Sequence, residues 1–309
     1  MRSRRAVRVE RELLETPDGD ELVLDHVRTG GGAHPPHFIF MHGLEGSSHS
    51  VYIQGLLSIV AKRGFAATAI NFRSCARDPQ RLSQMLPNRR PRFYHSGETT
   101  DFDFVVRALH DRFPNRTFVA CGASLGGNAL LKWLGEHPAQ QLVRAAATIS
   151  VPYDLGAGAV HLERGAGRFY VAGFLRTLKR KVRDVAARFP ETSLDVNRAL
   201  RSRTFREFDD CATAPLHGFV DADDYYARSS SIHFLSRITT TTLCISSEDD
   251  PFLPHDVLQR VRQAASPAIE LVITKHGGHV GFVGGSLPWR PRYWAEELVV
   301  EWLTAKINA

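Results

Sequence analysis

Residues 120–127 read Ala-Cys-Gly-Ala-Ser-Leu-Gly-Gly, which places Ser124 in a Gly-x-Ser-x-Gly pentapeptide directly after the apolar run Phe118, Val119 and Ala120. A serine at the tip of a strand-to-helix turn needs a strained backbone, and small residues two before and two after it let strand and helix approach without a clash. Gly122 and Gly126 meet that need. Beyond the turn, Leu130, Leu131 and Leu134 fall at core spacing and no proline occurs until Pro138, so 125–136 is predicted as a helix. A bare pentapeptide of this kind arises often by chance in glycine-containing loops, whereas one set between an apolar strand and a helix is far more specific. The layout is that of a nucleophile elbow.

Outward from the elbow, strand and helix signals alternate. The chain opens on a hairpin signal, with Val7, Val9 and Leu13, then Pro17-Asp18-Gly19-Asp20, then Leu22, Val23, Leu24 and Val27. A strand is predicted at Phe38–Met41, a helix at Tyr52–Ala61 and a strand at Phe65–Asn71. Phe102, Val105, Val106, Leu109 and Phe113 recur at helical spacing, with Thr100 and Asp103 as a capping box, and strands follow at Thr117–Cys121 and Ala145–Ser150. This alternation predicts an α/β fold, a mostly parallel central sheet with helices on both faces. After Ser150 the rhythm breaks for about eighty residues. It resumes with strands at Thr242–Ser246 and Ile269–Thr274, a helix from Pro254 to Ala265 between them, and a last helix at Tyr293–Ile307. We read 1–309 as one domain with 151–235 inserted as a helical lid, because two domains divided near Pro152 would leave the last strands without a sheet.

Composition sets the outer bounds. At 309 residues, 43% hydrophobic and 23% charged, the chain has the make-up of a soluble globular protein, and no apolar run nears the roughly 18 residues of a membrane span. The start Met1-Arg2-Ser3-Arg4-Arg5 lacks the apolar stretch of a secretory signal, so a cytoplasmic location is expected. Cys75, Cys121, Cys211 and Cys244 are too unevenly spaced for a redox pair or a zinc site and read as buried thiols. The net charge of +6 is a local matter, since 168–189 carries seven Lys or Arg against Asp184 alone. Rival motifs fail on spacing: there is no phosphate loop, no His-Glu-x-x-His, and Gly156-Ala157-Gly158 lacks a third fingerprint glycine. No cofactor, metal or nucleic-acid partner is expected.

A serine hydroxyl is a weak nucleophile near neutral pH and needs an imidazole to take its proton and an acid to orient that imidazole. With the nucleophile on such an elbow, the partners follow in the order Ser, acid, His, each on a loop at the carboxyl end of a strand. After the strand ending near Ser246 comes Glu248-Asp249-Asp250-Pro251-Phe252-Leu253-Pro254; after the strand ending near Thr274 comes Lys275-His276-Gly277-Gly278-His279. Asp250 is chosen as the acid, with Asp249 as its competitor, and His279 as the base, with His276 as runner-up. Two backbone amides are expected to face the developing oxyanion, from Leu125 and from Leu44 in the small-residue loop after Phe38–Met41. His42 is expected to orient that loop, and Gly43, Gly122 and Gly126 to leave room at the site.

Taken in order, Met41-His42-Gly43-Leu44-Glu45-Gly46-Ser47-Ser48, Asn71-Phe72-Arg73, Tyr94-His95-Ser96-Gly97-Glu98-Thr99, Gly122-Ala123-Ser124-Leu125-Gly126-Gly127-Asn128, Asp249-Asp250-Pro251-Phe252 and Gly278-His279-Val280-Gly281-Phe282 resemble the YheT-like branch of the α/β-hydrolases over nearly the whole chain. The resemblance implies the α/β-hydrolase fold, a triad at Ser124, Asp250 and His279, and hydrolysis of carboxylic esters, short- to medium-chain acyl esters among them. One departure is Ser74-Cys75-Ala76-Arg77, where the family shows a glycine-rich turn, in a loop expected to border the pocket. His95 and Glu98 are expected to fix the entrance to the helix near Thr100.

In the inserted segment Val171, Phe174, Leu175, Leu178, Val182, Val185 and Phe189 form one helical face, and Arg176, Lys179, Arg180, Lys181, Arg183 and Arg188 take the others. Such a helix suits a lid over an acyl pocket or a weak contact of 168–189 with an anionic membrane surface. The expected partner is a small-molecule acyl ester. Acyl transfer by the same triad, or a non-catalytic protein binding a hydrophobic ligand or a membrane surface, are the alternatives.

Overall fold

The structure is a computed structural model that describes residues 7–28, 34–78, 84–192, 194–285 and 291–307. The basic start at Met1–Arg5 lies outside the described residues. Strands β1 (Glu10–Glu15) and β2 (Glu21–Val27) form the expected hairpin, turning at Gly19 with φ 76°. Then come β3 (His37–Met41), α1 (Val51–Lys62), β4 (Ala66–Asn71), α2 (Thr100–Arg112), β5 (Phe118–Ala123), α3 (Leu125–Glu136) and β6 (Ala145–Ile149). The segment after β6 is helical: α4 (Leu155–Leu162), α5 (Gly167–Arg188), α6 (Val196–Arg201), α7 (Phe205–Phe208), α8 (Ala214–His217) and α9 (Ala222–Ser229), with a π-helical turn over Asp209–Thr213 between α7 and α8. The chain ends with β7 (Thr242–Ser247), α10 (Val257–Ala264), β8 (Ile269–Thr274), the short pair β9 (Val283–Gly284) and β10 (Arg292–Tyr293), and α11 (Trp294–Ile307).

The eight-stranded sheet has the order β1-β2-β4-β3-β5-β6-β7-β8; β1 and β2 are antiparallel to their neighbours and every pairing from β4 to β8 is parallel. Strands β3, β5, β6 and β7 are buried at every residue because helices cover both faces. Side chains alternate between two cores with the period of a strand. Ile39 and Met41 join Phe102, Val105, Leu130, Trp133 and Val257 under α2, α3 and α10, whereas Phe38 and Phe40 join Leu56, Leu57, Val299 and Val300 under α1 and α11. Each large side chain so buried contributes roughly 1.5–3 kcal/mol before entropy is counted. Parallel pairing also sends the carboxyl ends of β3 to β8 to one edge, where the functional loops gather.

Three local expectations are corrected. Thr100 and Asp103 form no capping box: Glu98 accepts the Thr100 N–H at 2.9 Å, while Asp103 is taken up by Arg107 at 2.7 Å and by the Trp133 indole N–H at 3.0 Å. Lys181 does not lie on the outer face of α5 but is buried on Glu45, a contact taken up below. The loop after Arg73 reaches the pocket through Phe93 and not through Ser74–Arg77; Cys75 is buried, 3.3 Å from Lys181 Nζ.

Among the described glycines the closest approach to other backbone is at the elbow. A Cβ on Gly126 would sit 2.6 Å from the His42 carbonyl oxygen and 2.7 Å from that of Met41, and one on Gly122 would sit 2.4 Å from the Gly126 carbonyl oxygen. Backbone cannot yield as a side chain can. Gly126→Ala is therefore expected to lower stability by about 1–3 kcal/mol, the usual cost of overpacking, in a urea titration; a midpoint unchanged from the wild type refutes this account of the β3–α3 contact.

Candidate active site

Ser124 links β5 to α3 with φ 52° and ψ −121°, a left-handed geometry that an L-residue adopts only when its surroundings impose it. Its N–H donates to the Ile149 carbonyl at 2.8 Å and its carbonyl accepts from Asn128 N–H at 3.0 Å, so the turn is pinned from the sheet side and from the helix side. The hydroxyl is left at the carboxyl edge of the sheet. There His279 Nε2 lies 2.9 Å from Ser124 Oγ. Asp250, whose side chain is fully buried, lies 2.9 and 3.1 Å from His279 Nδ1 through its two oxygens. The Phe252 ring stacks on the imidazole with centroids 4.0 Å apart and holds its plane.

The two neighbouring candidates have other positions. Asp249 accepts the Gly277 and Gly278 N–H groups at 2.9 and 2.8 Å and lies 3.3 Å from His276 Nδ1; His276 itself is 88% exposed at the side chain. Asp249 thus ties down the loop that carries His279 while Asp250 meets the imidazole. Val280, at φ 55°, donates its N–H to Ser150 Oγ at 3.0 Å and anchors the far side of the same loop.

On the opposite side of Ser124 is the loop after β3. The Gly43 N–H donates to the Tyr52 hydroxyl at 2.7 Å, the Glu45 N–H to the Tyr94 hydroxyl at 2.5 Å and the Gly46 N–H to the Gly43 carbonyl at 3.0 Å. Among the described residues the Leu44 and Leu125 N–H groups have no such partner, and both residues line the cavity at Ser124. Unsatisfied donors beside a reactive hydroxyl are what an oxyanion needs. A Cβ on Gly43 would come within 3.0 Å of Ser124 Cβ, so a larger residue there would press on the hydroxyl. His42 is buried, its Nδ1 2.7 Å from the Gly43 carbonyl and its Nε2 accepting the Phe72 N–H at 3.1 Å. Burial pushes His42 down to about 4, so it is a neutral ring that buttresses the loop with both nitrogens engaged by backbone.

The cavity has a volume of about 490 Å³ and is mainly apolar, within the usual range of small-molecule sites. Leu162, Phe174, Leu178 and Phe208 from the helical segment line it together with Ser124 and His279. His95 also lines it. Burial lowers His95 to about 3, and its Nδ1 accepts the Gly97 N–H at 3.1 Å, while Glu98 pairs with Arg92 at 2.5 Å; both hold the entrance to α2.

Residues 36–286 match the family described as alpha/beta hydrolase fold. The chain belongs to the α/β-hydrolase family. Within that family it is 40% identical over 299 residues to the Escherichia coli (strain K12) protein named "Putative esterase YheT", covering 96% of this chain and 85% of that protein. It is 30% identical over 298 residues to mouse phospholipase ABHD3, with 94% and 70% covered. A monoacylglycerol lipase of Saccharomyces cerevisiae is 30% identical over 275 residues, with 86% and 58% covered. Among solved structures, a Pyrococcus furiosus esterase, Pf2001, superposes with a TM-score of 0.58 at 14% identity, covering 97% of this chain and 90% of that one, a likeness of fold.

Strand order points to Ser124, Asp250 and His279, which the fold of this α/β-hydrolase brings together, but it misses the residues that brace them. Asn128 donates to the Ser96 and Ser229 carbonyls at 2.9 and 2.8 Å and accepts the Ser231 N–H at 2.9 Å, so one buried amide joins three segments. The second is Lys181. Its ammonium donates to Glu45 Oε1 and sits 4.7 Å above the Tyr94 ring, and Tyr94 in turn bonds both the Glu45 carboxylate and N–H. Burial alone would lower the Lys181 pKa, but Cys75 and Glu45 more than offset it and raise it, which keeps the ion pair charged. Helix α5 is thereby bolted to the loop carrying Leu44. The only sequence signal was a lysine that breaks no helical pattern, next to apolar Val182, and its partner lies 136 positions away.

Removing one member of a buried pair strands the other. Lys181→Met is expected to cost about 3–5 kcal/mol, and Lys181→Met with Glu45→Gln markedly less than the sum of the singles. Urea unfolding of the four members of the cycle measures this; additive losses refute a coupled pair.

Proposed function

We propose that this α/β-hydrolase is a carboxylic ester hydrolase acting through an acyl-enzyme on Ser124. Ser124 Oγ attacks the carbonyl carbon while His279 Nε2 takes the hydroxyl proton, and Asp250 holds the imidazole and stabilises the imidazolium. The carbonyl oxygen, now negative, accepts from the Leu44 and Leu125 N–H groups. Collapse breaks the bond to the alcohol oxygen, which leaves with the proton from His279. Water then gives a proton to the same imidazole, attacks the acyl carbon, and returns Ser124 with its proton as the carboxylic acid departs. The single observation that carries this reading is the chain Ser124 Oγ, His279 Nε2 and Nδ1, Asp250, at 2.9 Å in each link. The names of the relatives, esterase, phospholipase and monoacylglycerol lipase, support an ester or lipid substrate of small-molecule size.

The apolar cavity favours short- to medium-chain acyl groups. If an alcohol in place of water intercepts the acyl-enzyme, the same residues perform acyl transfer. A fluorophosphonate probe is expected to label the wild type and not Ser124→Ala, and hydrolysis of p-nitrophenyl esters to fall by at least about 10³-fold in Ser124→Ala and His279→Ala. Asp250→Asn is expected to lose about 10²–10⁴-fold in kcat and Asp249→Asn less than about tenfold. Labelling that persists without Ser124 would overturn the mechanism, and no labelling of the wild type would leave a non-catalytic binding protein.

A contact between 168–189 and an anionic membrane rests on what α5 still exposes. Arg168, Arg176, Arg180 and Arg183 are exposed, and Phe169 is 82% exposed beside them. Binding to phosphatidylglycerol vesicles is expected, and charge reversal at Arg176, Arg180 and Arg183 is expected to abolish it; sedimentation with vesicles that survives reversal removes this reading.

A further inference from the structure

Among the described residues the cavity at Ser124 has one carboxylate in its wall, and the hydrolysis of an ester by Ser124, His279 and Asp250 does not use it. Asp209 is the first residue of the π-helical turn Asp209–Thr213 and lines the same space as Ser124, Leu125 and His279. π-Turns are rare and recur at functional sites because the extra residue re-aims a side chain. The carboxylate is held in place by two hydroxyls, Thr213 Oγ1 donating to Oδ1 at 2.5 Å and Tyr226 donating to Oδ2 at 2.7 Å.

Several carboxylates that the fold buries meet a cation: Asp20 and Asp101 face Arg73, Asp25 faces Arg11, and Glu98 faces Arg92. Asp209 makes no ion pair among the described residues. The nearest acid, Asp210, pairs with Arg198 at 3.4 Å, and Arg206 pairs with Asp223, so the local cations are already engaged elsewhere. Burial pushes the Asp209 carboxyl up to about 6, with Asp210 adding to the rise. The two hydroxyls satisfy part of this carboxylate, and a ligand cation would supply the countercharge that no described side chain provides.

The surrounding surface fits such a ligand. Phe205 and Phe208, on the turn just before Asp209, and Tyr226, which bonds it, line the cavity, and Tyr225 packs on Tyr226 with centroids 5.2 Å apart. Aromatic faces attract a desolvated ammonium, and each Asp209 oxygen, with one donor already placed, keeps capacity for a second contact. We propose that Asp209 is a specificity residue that binds an ammonium group of the substrate, so that the preferred esters carry a positive charge away from the scissile carbonyl. This rests on the ester-hydrolase reading for turnover, but cation binding at Asp209 does not need Ser124 to react.

Two ester pairs differing only in charge test the proposal. On the alcohol side, butyrylcholine is compared with 3,3-dimethylbutyl butyrate; on the acyl side, the p-nitrophenyl ester of 6-(trimethylammonio)hexanoic acid is compared with that of 7,7-dimethyloctanoic acid. Quaternary nitrogen supplies charge without a nucleophilic amine. In at least one pair the wild type is expected to favour the cationic ester by tenfold or more in kcat/KM, and Asp209→Asn to abolish the preference while changing the neutral ester less than about threefold. In parallel, calorimetry on Ser124→Ala is expected to detect binding of choline and not of 3,3-dimethylbutanol, with choline binding lost in Ser124→Ala/Asp209→Asn. Equal rates in both pairs, or a preference untouched by Asp209→Asn, would overturn the proposal while leaving the hydrolase reading intact. Absence of turnover with choline binding retained would do the reverse, and absence of choline binding to Ser124→Ala counts against Asp209 whatever the turnover.

Discussion

The turn at Ser124 is the constraint on which the rest of the molecule depends. A left-handed φ of 52° in a residue with a Cβ costs on the order of 1–3 kcal/mol and persists only if both flanking elements are fixed. They are fixed by close packing of backbone. Helix α3 begins so near to β5 and to the end of β3 that Gly122 and Gly126 have no room for a methyl group, and the helix is then buried along nearly its whole length. The strain at one residue is therefore held by the central core, and the hydroxyl projects in one direction only.

Around that turn, the loop after β3 and the entrance to α2 are held by buried polar side chains. Asn71 accepts the Ser48 N–H at 2.8 Å and donates to Asp25 at 2.9 Å, and Ser48 Oγ donates to the same carboxylate, which ties the loop after β3 to strands β2 and β4. Arg73 grips Asp101 at the start of α2 with two bonds of 2.8 and 2.7 Å and reaches Asp20 in the first hairpin at 2.8 Å. Buried groups of this kind add less net stability than apolar ones but admit few alternative arrangements. Rigid loops fit a site in which the described distances among Ser124, His279 and Asp250 all fall within hydrogen-bond range.

Much of this was legible along the chain, because the signals concerned are local. Apolar runs such as Leu22–Leu24 and Phe38–Met41, the glycines about Ser124 and the leucines of α3 mark their elements to within a residue or two. The capping box at Thr100 was a misreading for a reason that is also local: Glu98, two residues earlier, competes for the same N–H and wins, and Trp133 draws Asp103 away. Lys181 was placed with the exposed charges of α5 because periodicity says which face a residue occupies and not what stands opposite that face. Glu45 stands there.

The sequence by itself determined the order of strands and helices, and with parallel connections that order sends the loops bearing Ser124, Asp250 and His279 to one edge of one sheet. Only the tertiary structure decided which of two adjacent carboxylates meets the imidazole, that α5 is bound to the Leu44 loop through a buried ion pair, and that Asp209 lines the cavity with no ion pair among the described residues. The physical reason is range. Periodicity, turn chemistry and glycine placement act over a few residues, whereas the partner of a buried charge is set by loops that close over distances of a hundred residues or more, and a shift of one position between Asp249 and Asp250 is enough to exchange their partners.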